Sequence, residues 1–172
     1  MLFKLIQKLK RPTPGFSLIE MMAVLVIVSL GLIGVASLAT QSIQAQTINR
    51  GNIIAYQLAQ EGIEIVRQKR DTNWLQALDW KDGIGTGTYC VDYFKPDLRV
   101  VASPSECQLR LDADKWYRSP FVLSTVSAAT PFFRSVTIEA ATSSMSVRAV
   151  VTWMDRSRAH RFEAETELYD WR

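Results

Sequence analysis

The chain has little of the chemistry that metal binding or catalysis usually requires. Its 172 residues include one histidine, His160, and two cysteines, Cys90 and Cys107, which are too far apart for a Cys-x-x-Cys motif. One histidine and two separated cysteines do not supply the four ligands of a usual zinc site. No glycine-rich phosphate loop follows a strand-like run, and the acidic residues are scattered. We therefore expect no enzyme activity, no metal and no cofactor, and we expect His160 to be a solvated or strand-edge residue.

Acidic residues are missing from residues 1–15, and charge of either sign is missing from residues 21–49. The whole chain carries 20 basic and 17 acidic side chains, a net charge of +3, but four of the basic ones lie within residues 1–15. Without them the body has 16 basic against 17 acidic side chains and is nearly neutral. A nucleic acid is therefore not an expected partner of the body.

The uncharged region contains an apolar run from Phe16 to Ala39. As a helix, these 24 residues would be roughly 36 Å long, enough to cross a hydrocarbon core of ~30 Å. Basic residues precede the run and none follows closely, which places the N-terminus in the cytoplasm and the rest of the chain outside. The pattern predicts a single-pass membrane protein.

A cleaved secretory signal is the alternative interpretation of this N-terminus. Ser37-Leu38-Ala39 is an acceptable cleavage site, and the basic segment before the run also fits a signal. However, the run is longer than the apolar region of a signal peptide, and Glu20 lies near its start. A carboxylate at such a depth costs free energy unless it has a partner.

The junction between the basic and apolar segments resembles a known processing site. Its sequence, Pro14-Gly15-Phe16-Ser17-Leu18-Ile19-Glu20, is similar to that of the type IV pilin and pseudopilin family. The resemblance implies that prepilin peptidase cleaves after Gly15 and methylates the new amino group of Phe16. A glycine before the cleaved bond lets the backbone approach catalytic groups closely, because it has no Cβ.

The same resemblance assigns Glu20 to assembly. When the apolar helices of neighbouring subunits pack together, the Glu20 carboxylate would pair with the Phe16 amine of the next subunit. The alternative is a passive acid at the headgroups, favoured there by the helix dipole. Gly31 and Gly34 lie in the same run and would either weaken the helix inside a filament or be tolerated as ordinary membrane-helix glycines.

Helical periodicity continues beyond the apolar run. Ile54, Leu58 and Ile65 recur on one face together with Ala55, Gly62 and Val66, and no proline interrupts the chain from Phe16 to about Lys69. Polar residues form the opposite face: Gln57, Gln60, Glu64, Arg67 and Gln68, with Glu61 at the edge. The stretch Gln57–Glu64, followed by Arg67 and Arg70–Trp74, looks like minor-pilin-type sequences.

Residues 79–120 contain most of the turn signals and both cysteines. We expect an irregular insertion with short strands near Thr88–Phe94 and Asp114–Tyr117, and a plain flexible turn at Gly83–Gly87. On the extracytoplasmic side of a membrane, Cys90 and Cys107 are expected to form a disulfide worth about 3 kcal/mol; free buried thiols are the alternative.

The C-terminal third has the period-two alternation of strands. Three runs alternate core-facing and solvent-facing side chains, the first with Phe132, Arg134, Val136 and Ile138 on one face, the second with Val147, Ala149, Val151 and Trp153, and the third with Phe162, Ala164, Thr166 and Leu168. Such runs joined by polar turns predict an antiparallel meander with one face against the helix. The fold class is α+β, with a long N-terminal helix packed on a C-terminal antiparallel sheet.

These patterns divide the chain into four parts: a basic leader (1–15), a membrane and assembly helix (16–40), its amphipathic continuation (41–78) and an extracytoplasmic globular part (79–172). The resemblance implies a structural subunit, expected to be minor, of a pilus, a type II secretion pseudopilus or a DNA-uptake filament. Its implied partners are prepilin peptidase, other pilin or pseudopilin subunits, an inner-membrane assembly platform and the lipid bilayer, with nucleic acid only in a DNA-uptake system.

Two other classes of function remain open at this stage. The five tryptophans could bind a ligand at a filament tip together with the Cys90–Cys107 region, although core packing is expected for most of them, including Trp74 and Trp153. A membrane-anchored hydrolase is the third class, and the single histidine counts against it.

Overall fold

The computed structural model describes residues 15–94, 98–122 and 128–170. Within them the chain forms one long helix followed by a seven-stranded sheet. It divides into two units, Met1–Gln46 and Thr47–Arg172. Lys95-Pro96-Asp97, one of the turn signals within residues 79–120, lies outside the described residues, as do Trp171 and nearly all of the basic leader.

Helix α1 (Leu18–Leu75) directly follows Ser17, whose carbonyl oxygen accepts hydrogen bonds from the backbone N–H groups of Glu20 (3.0 Å) and Met21 (3.1 Å). Its part in the first unit is apolar on all sides, and its large hydrophobic side chains are exposed. Polar side chains there bond to the helix itself, since the Ser29 hydroxyl donates to the Leu25 carbonyl at 2.6 Å. The helix is long and apolar enough to cross a membrane.

The part of α1 in the second unit is amphipathic and packs on the sheet. Its buried residues include the expected Ala55, Leu58, Gly62, Ile65 and Val66. The burial confirms the predicted stripe and widens it: Ala59, Ile63, Arg70, Asn73 and Trp74 are also buried. Ala59 and Ile63 lie inside the predicted stretch and widen the buried face, whereas Arg70, Asn73 and Trp74 extend it to the end of the helix.

The helix ends at Leu75, within the predicted amphipathic continuation 41–78. Ala77 adopts a left-handed conformation with φ of 57°. Its N–H donates to the Trp74 carbonyl (3.1 Å), and the N–H of Leu78 donates to the Asn73 carbonyl (2.9 Å). This is the Schellman arrangement, which usually contains glycine. The sequence shows alanine there, so the stop signal was not visible.

The sheet is antiparallel and is built around its longest strand. Its strands are β1 (Gly87–Cys90), β2 (Arg99–Val100), β3 (Gln108–Leu111), β4 (Tyr117–Arg118), β5 (Ala128–Ala140), β6 (Ser144–Asp155) and β7 (Arg158–Tyr169). One edge of β5 pairs with β6, which pairs with β7. The other edge of β5 pairs with β1 and β3, and these two strands pair in turn with β2 and β4.

Strands β5, β6 and β7 form the predicted meander with the predicted faces. Val136, Ala149 and Val151 have no exposed surface, and the third run presents its apolar side chains to the same face. Helix and sheet approach closely at Gly62, where an added Cβ would lie 3.1 Å from a methyl group of Val136. This contact explains why the stripe carries a glycine at that point.

The insertion differs from the prediction in its strands. The first strand ends at Cys90 rather than Phe94, because the buried Asp92 carboxylate accepts hydrogen bonds from the N–H groups of Phe94 (2.9 Å) and Ser119 (2.6 Å) and fixes a loop. Residues 113–114 form a turn, and the strand there is only Tyr117–Arg118. Two short strands, β2 and β3, were not predicted.

Gly83–Gly87 is also not the plain flexible turn that we expected. Ile84 is buried within the core, and the Tyr89 hydroxyl donates to the Gly85 carbonyl at 2.9 Å. Asn73 of α1 donates to the carbonyls of Trp80 (3.3 Å) and Asp82 (2.8 Å). The segment is held by its side chains and by the end of the helix.

Candidate functional site

The N-terminal end of the described chain is sterically open. Among the described residues, no atom lies within 4 Å of the position that a Cβ on Gly15 would take. Phe16 is 77% exposed and precedes the first turn of α1. Gly15 and Phe16 are therefore both exposed among the described residues.

Glu20 lies in the first turn of α1 and is the one acidic residue there. The positive end of the helix dipole favours a carboxylate at this position. Its surroundings in sequence are exposed apolar side chains, among them Leu18, Ile19 and Met21. An apolar surface with one carboxylate suits packing against another apolar surface that carries a single positive group.

The comparison with protein families decides the nature of this segment. Residues 11–36 match the family model of the prokaryotic N-terminal methylation motif. The chain carries the signature of type IV pilins and pseudopilins. No curated protein and no solved structure matches the chain.

The pilin signature covers only the N-terminal segment, but it bears on function. It implies processing by prepilin peptidase and assembly with other pilin subunits, and it supports a type IV pilin-like or pseudopilin subunit. A long apolar helix followed by an α+β body fits a membrane-anchored pilin. The individual roles of Gly15, Phe16 and Glu20 remain predictions.

The body carries the disulfide that was expected. Cys90, the last residue of β1, is bonded to Cys107, which directly precedes β3, with 5.3 Å between their Cα atoms. Both cysteines are buried, and the Cys107 carbonyl accepts a hydrogen bond from the N–H of Arg134 at 3.0 Å. The bond therefore joins the two short strands that share one edge of β5.

Removing this disulfide should destabilise the body. The two cysteines are 17 residues apart, and opening a loop of that size costs about 3 kcal/mol in the chain-entropy model. We expect the Cys90→Ser/Cys107→Ser variant to unfold at a lower urea concentration than the oxidised protein. Mass analysis of the unreduced wild type should show two missing hydrogens, whereas alkylation of both thiols without prior reduction would contradict the bond.

A buried arginine joins the helix to the sheet. Arg134 of β5 is 1% exposed, and its guanidinium donates to the carbonyls of Leu58 (3.3 Å) and Val91 (2.9 Å). It also lies 3.0 Å from the carboxylate of Glu61. The sequence placed Arg134 on the core face and Glu61 at the edge of the stripe, but not in contact.

The insertion and α1 enclose an open groove of about 350 Å³. Its lining combines aromatic and aliphatic side chains with one amide and one carboxylate: Tyr93, Trp116, Tyr117, Ile54, Leu58, Gln57 and Glu61. Trp116 is 60% exposed, and its ring centroid lies 6.0 Å from that of Tyr93. The groove therefore presents an exposed aromatic surface on the body.

Arg118 stabilises the groove-side loop. Its guanidinium lies over the ring of Tyr93 at 4.4 Å and pairs with the carboxylates of Asp112 (2.8 Å) and Asp92 (3.7 Å). The backbone N–H of Trp116 and the Arg118 side chain lower the pKa of Asp112 below its usual value. Burial raises the pKa of Tyr93, so its hydroxyl remains neutral at physiological pH.

His160 and three of the tryptophans named from the sequence pack within the fold. His160 lies on β7, the edge strand, and stacks on Trp153 with ring centroids 5.2 Å apart. Trp74, Trp80 and Trp153 are buried, as expected for most tryptophans. Within the described residues there is no cluster of three or more His, Cys, Asp or Glu side chains that could hold a metal.

Proposed function

We propose that this protein is a minor structural subunit of a type IV pilus-like filament. The match of residues 11–36 to the N-terminal methylation motif carries the proposal. Prepilin peptidase removes residues 1–15 and methylates Phe16, the mature helix holds the subunit in the cytoplasmic membrane, and the body lies outside. An inner-membrane assembly platform then transfers the subunit into the filament.

Supporting observations come from both units. The apolar part of α1 leaves every large hydrophobic side chain from Leu18 to Leu38 exposed, a surface that needs lipid or neighbouring helices. The body is held together by its own core, a disulfide and a buried ion pair. A self-contained body on an uncovered apolar helix suits a subunit that moves from the bilayer into a helical assembly.

Processing tests the proposal directly. Replacing Gly15 with Val should leave the leader attached, because a β-branched side chain prevents the close backbone approach at the cleaved bond. The wild-type protein from the membrane fraction should start at Phe16 and be heavier by one methyl group, as measured by intact mass.

Leu18→Val provides the matched control, since it adds a β-branched side chain beyond the cleaved bond and should be processed normally. A mature chain that starts at Thr40 would show an ordinary secretory signal and would contradict the proposal. If the Gly15→Val variant is processed as efficiently as the wild type, only the role assigned to Gly15 is wrong, and the proposed function is unaffected.

A pseudopilin of a type II secretion or DNA-uptake system shares the same processing and assembly steps. Identification of the filament proteins that co-purify with the subunit after chemical cross-linking separates these systems. The choice depends on the partners rather than on this chain.

The exposed aromatic groove favours a second candidate function, a binding subunit at the filament tip. Its rings and its Gln57 and Glu61 side chains form an apolar surface with a few polar groups, as ligand sites do. Immunogold labelling that finds the subunit only at filament ends would favour this role, whereas labelling along the shaft would favour a purely structural one.

A further inference from the structure

The turn between β6 and β7 presents two arginines to solvent. Arg156 and Arg158 are exposed, and neither makes an ion pair with a described residue. We name Asp155, Arg156, Ser157 and Arg158 the basic tip. Asp155, which is partly buried, is its one carboxylate, so the tip carries a net positive charge although the body as a whole does not.

The backbone of the basic tip is unfavourable for the residues that occupy it. Arg156 has φ of 45° and Ser157 has φ of 67°, as in the two-residue turns that usually contain asparagine and glycine. Non-glycine residues pay a steric cost in this conformation. An arginine at the first turn position is therefore not explained by turn formation, and such strain is often found at functional positions.

The tip lies at the end of the second unit at which that unit's part of α1 begins. Within the second unit, Gly62 of α1 faces Ala149 of β6, and Gly51 faces Trp153, at 3.5 and 2.8 Å from an added Cβ. Strand β6 therefore runs antiparallel to α1: from Ala149 to Trp153 it advances towards the N-terminal end of the helix segment in this unit. Asp155 and the tip lie further along that direction.

The chain between the apolar run and the second unit is short. Ten residues, 40–49, separate Ala39 from Arg50, and even fully extended they span at most about 35 Å. Arg50 is itself exposed and cationic. Next to the tip, the exposed side chain of Met154 offers apolar surface, while Arg161 is already paired with Glu163.

We propose that the basic tip docks on the anionic phospholipid headgroups of the membrane that holds the subunit before assembly. This inference rests on the proposed function, because it requires residues 16–39 to span that membrane. Arginine forms bidentate hydrogen bonds with phosphate oxygens, and each cation near an anionic surface contributes about 1 kcal/mol. Docking orients the body, and incorporation into a filament releases it.

The test uses the mature full-length protein, with its disulfide intact, reconstituted into vesicles. A fluorophore on Ala159→Cys, an exposed position beside the tip, reports contact with headgroup-labelled quencher lipids. In vesicles with about one-third phosphatidylglycerol we expect strong quenching, and in pure phosphatidylcholine little. For Arg156→Gln/Arg158→Gln the docked-to-free ratio should fall about 30-fold, the equivalent of two arginines at about 1 kcal/mol each.

Two control variants separate charge from folding and from general attraction. Arg156→Lys/Arg158→Lys keeps both charges and should retain most of the quenching, while Lys69→Gln/Arg99→Gln removes two cations elsewhere and should leave it unchanged. Equal quenching in both lipids, or in the Gln and wild-type proteins, would overturn the docking proposal.

Membrane insertion is scored separately by resistance to carbonate extraction. A chain that is not inserted would contradict the proposed function itself, whereas an inserted chain with lipid-independent quenching would contradict only the docking. A loss of filament incorporation in the Gln variant without any lipid dependence would identify an acidic protein surface as the partner and would also overturn the proposal.

Discussion

Replacing Glu20 with Ala should leave cleavage after Gly15 and membrane insertion intact while incorporation into filaments falls by at least 100-fold. In a single subunit in lipid, the Glu20 charge is a net cost. In a filament it would neutralise the methylated amine of a neighbouring Phe16. Leaving one charge of such a pair without its partner in an apolar environment costs about 3–5 kcal/mol.

The measurement compares sheared filaments with the membrane fraction by quantitative immunoblotting. Ser29→Ala is the matched control: it removes another polar side chain of the apolar run, one that bonds only to its own helix at Leu25, and it should be incorporated normally. If the Glu20→Ala subunit enters filaments at the wild-type level, Glu20 is a passive interfacial acid and the assembly mechanism is wrong.

Replacing Arg134 with Ala should destabilise the body by about 3–5 kcal/mol, because it empties a fully buried side-chain site and leaves buried carbonyls without donors. The Glu61 carboxylate would lose its counter-charge, and the carbonyls of Leu58 and Val91 would lose their donors. A loss of this size is a large part of the 5–15 kcal/mol typical of a folded domain. Urea unfolding of the full-length protein in detergent, followed by tryptophan fluorescence, measures it.

Two further variants make the Arg134 prediction specific. Arg134→Met/Glu61→Gln refills the buried site with an apolar side chain and leaves Glu61 no charge to compensate, so it should recover part of the loss. Arg148→Ala breaks an exposed pair with Glu163 and Glu165 and should cost far less than the Arg134→Ala change. Equal stabilities of the Arg134→Ala and Arg148→Ala proteins would show that the buried pair contributes little.

Features with a short sequence period were predictable from the residues alone. The stripe of α1 and the faces of β5, β6 and β7 follow from periods of 3.6 and 2, since the side chains of these long elements alternate between core and solvent along their whole length. The disulfide was also predicted, because only two cysteines are present and they lie beyond an apolar span. Long elements repeat their signal, so a single atypical residue does not hide it.

The insertion was less predictable because its strands are short. Strands of two or four residues, such as β2 and β3, show too few alternations for a pattern. Their positions depend on pairing with β1 and β5 and on the Asp92 side chain, which bonds to Ser119 from a distance of 27 residues. The Schellman turn at Ala77 was likewise not predictable. Its hydrogen bonds go to the carbonyls of Asn73 and Trp74, whose side chains are held in the core.

The processing motif, the uncharged apolar helix, the α+β class and the core faces can be read from the residues alone, because each depends on neighbouring residues or on a local period. The packing of helix on sheet, in contrast, brings Arg134 to Glu61, places Tyr93 and Trp116 at one groove, and puts the basic tip at the end of the second unit where its part of α1 begins. These contacts join residues that are distant along the chain. Their geometry depends on how helix and sheet pack, and no local pattern records it.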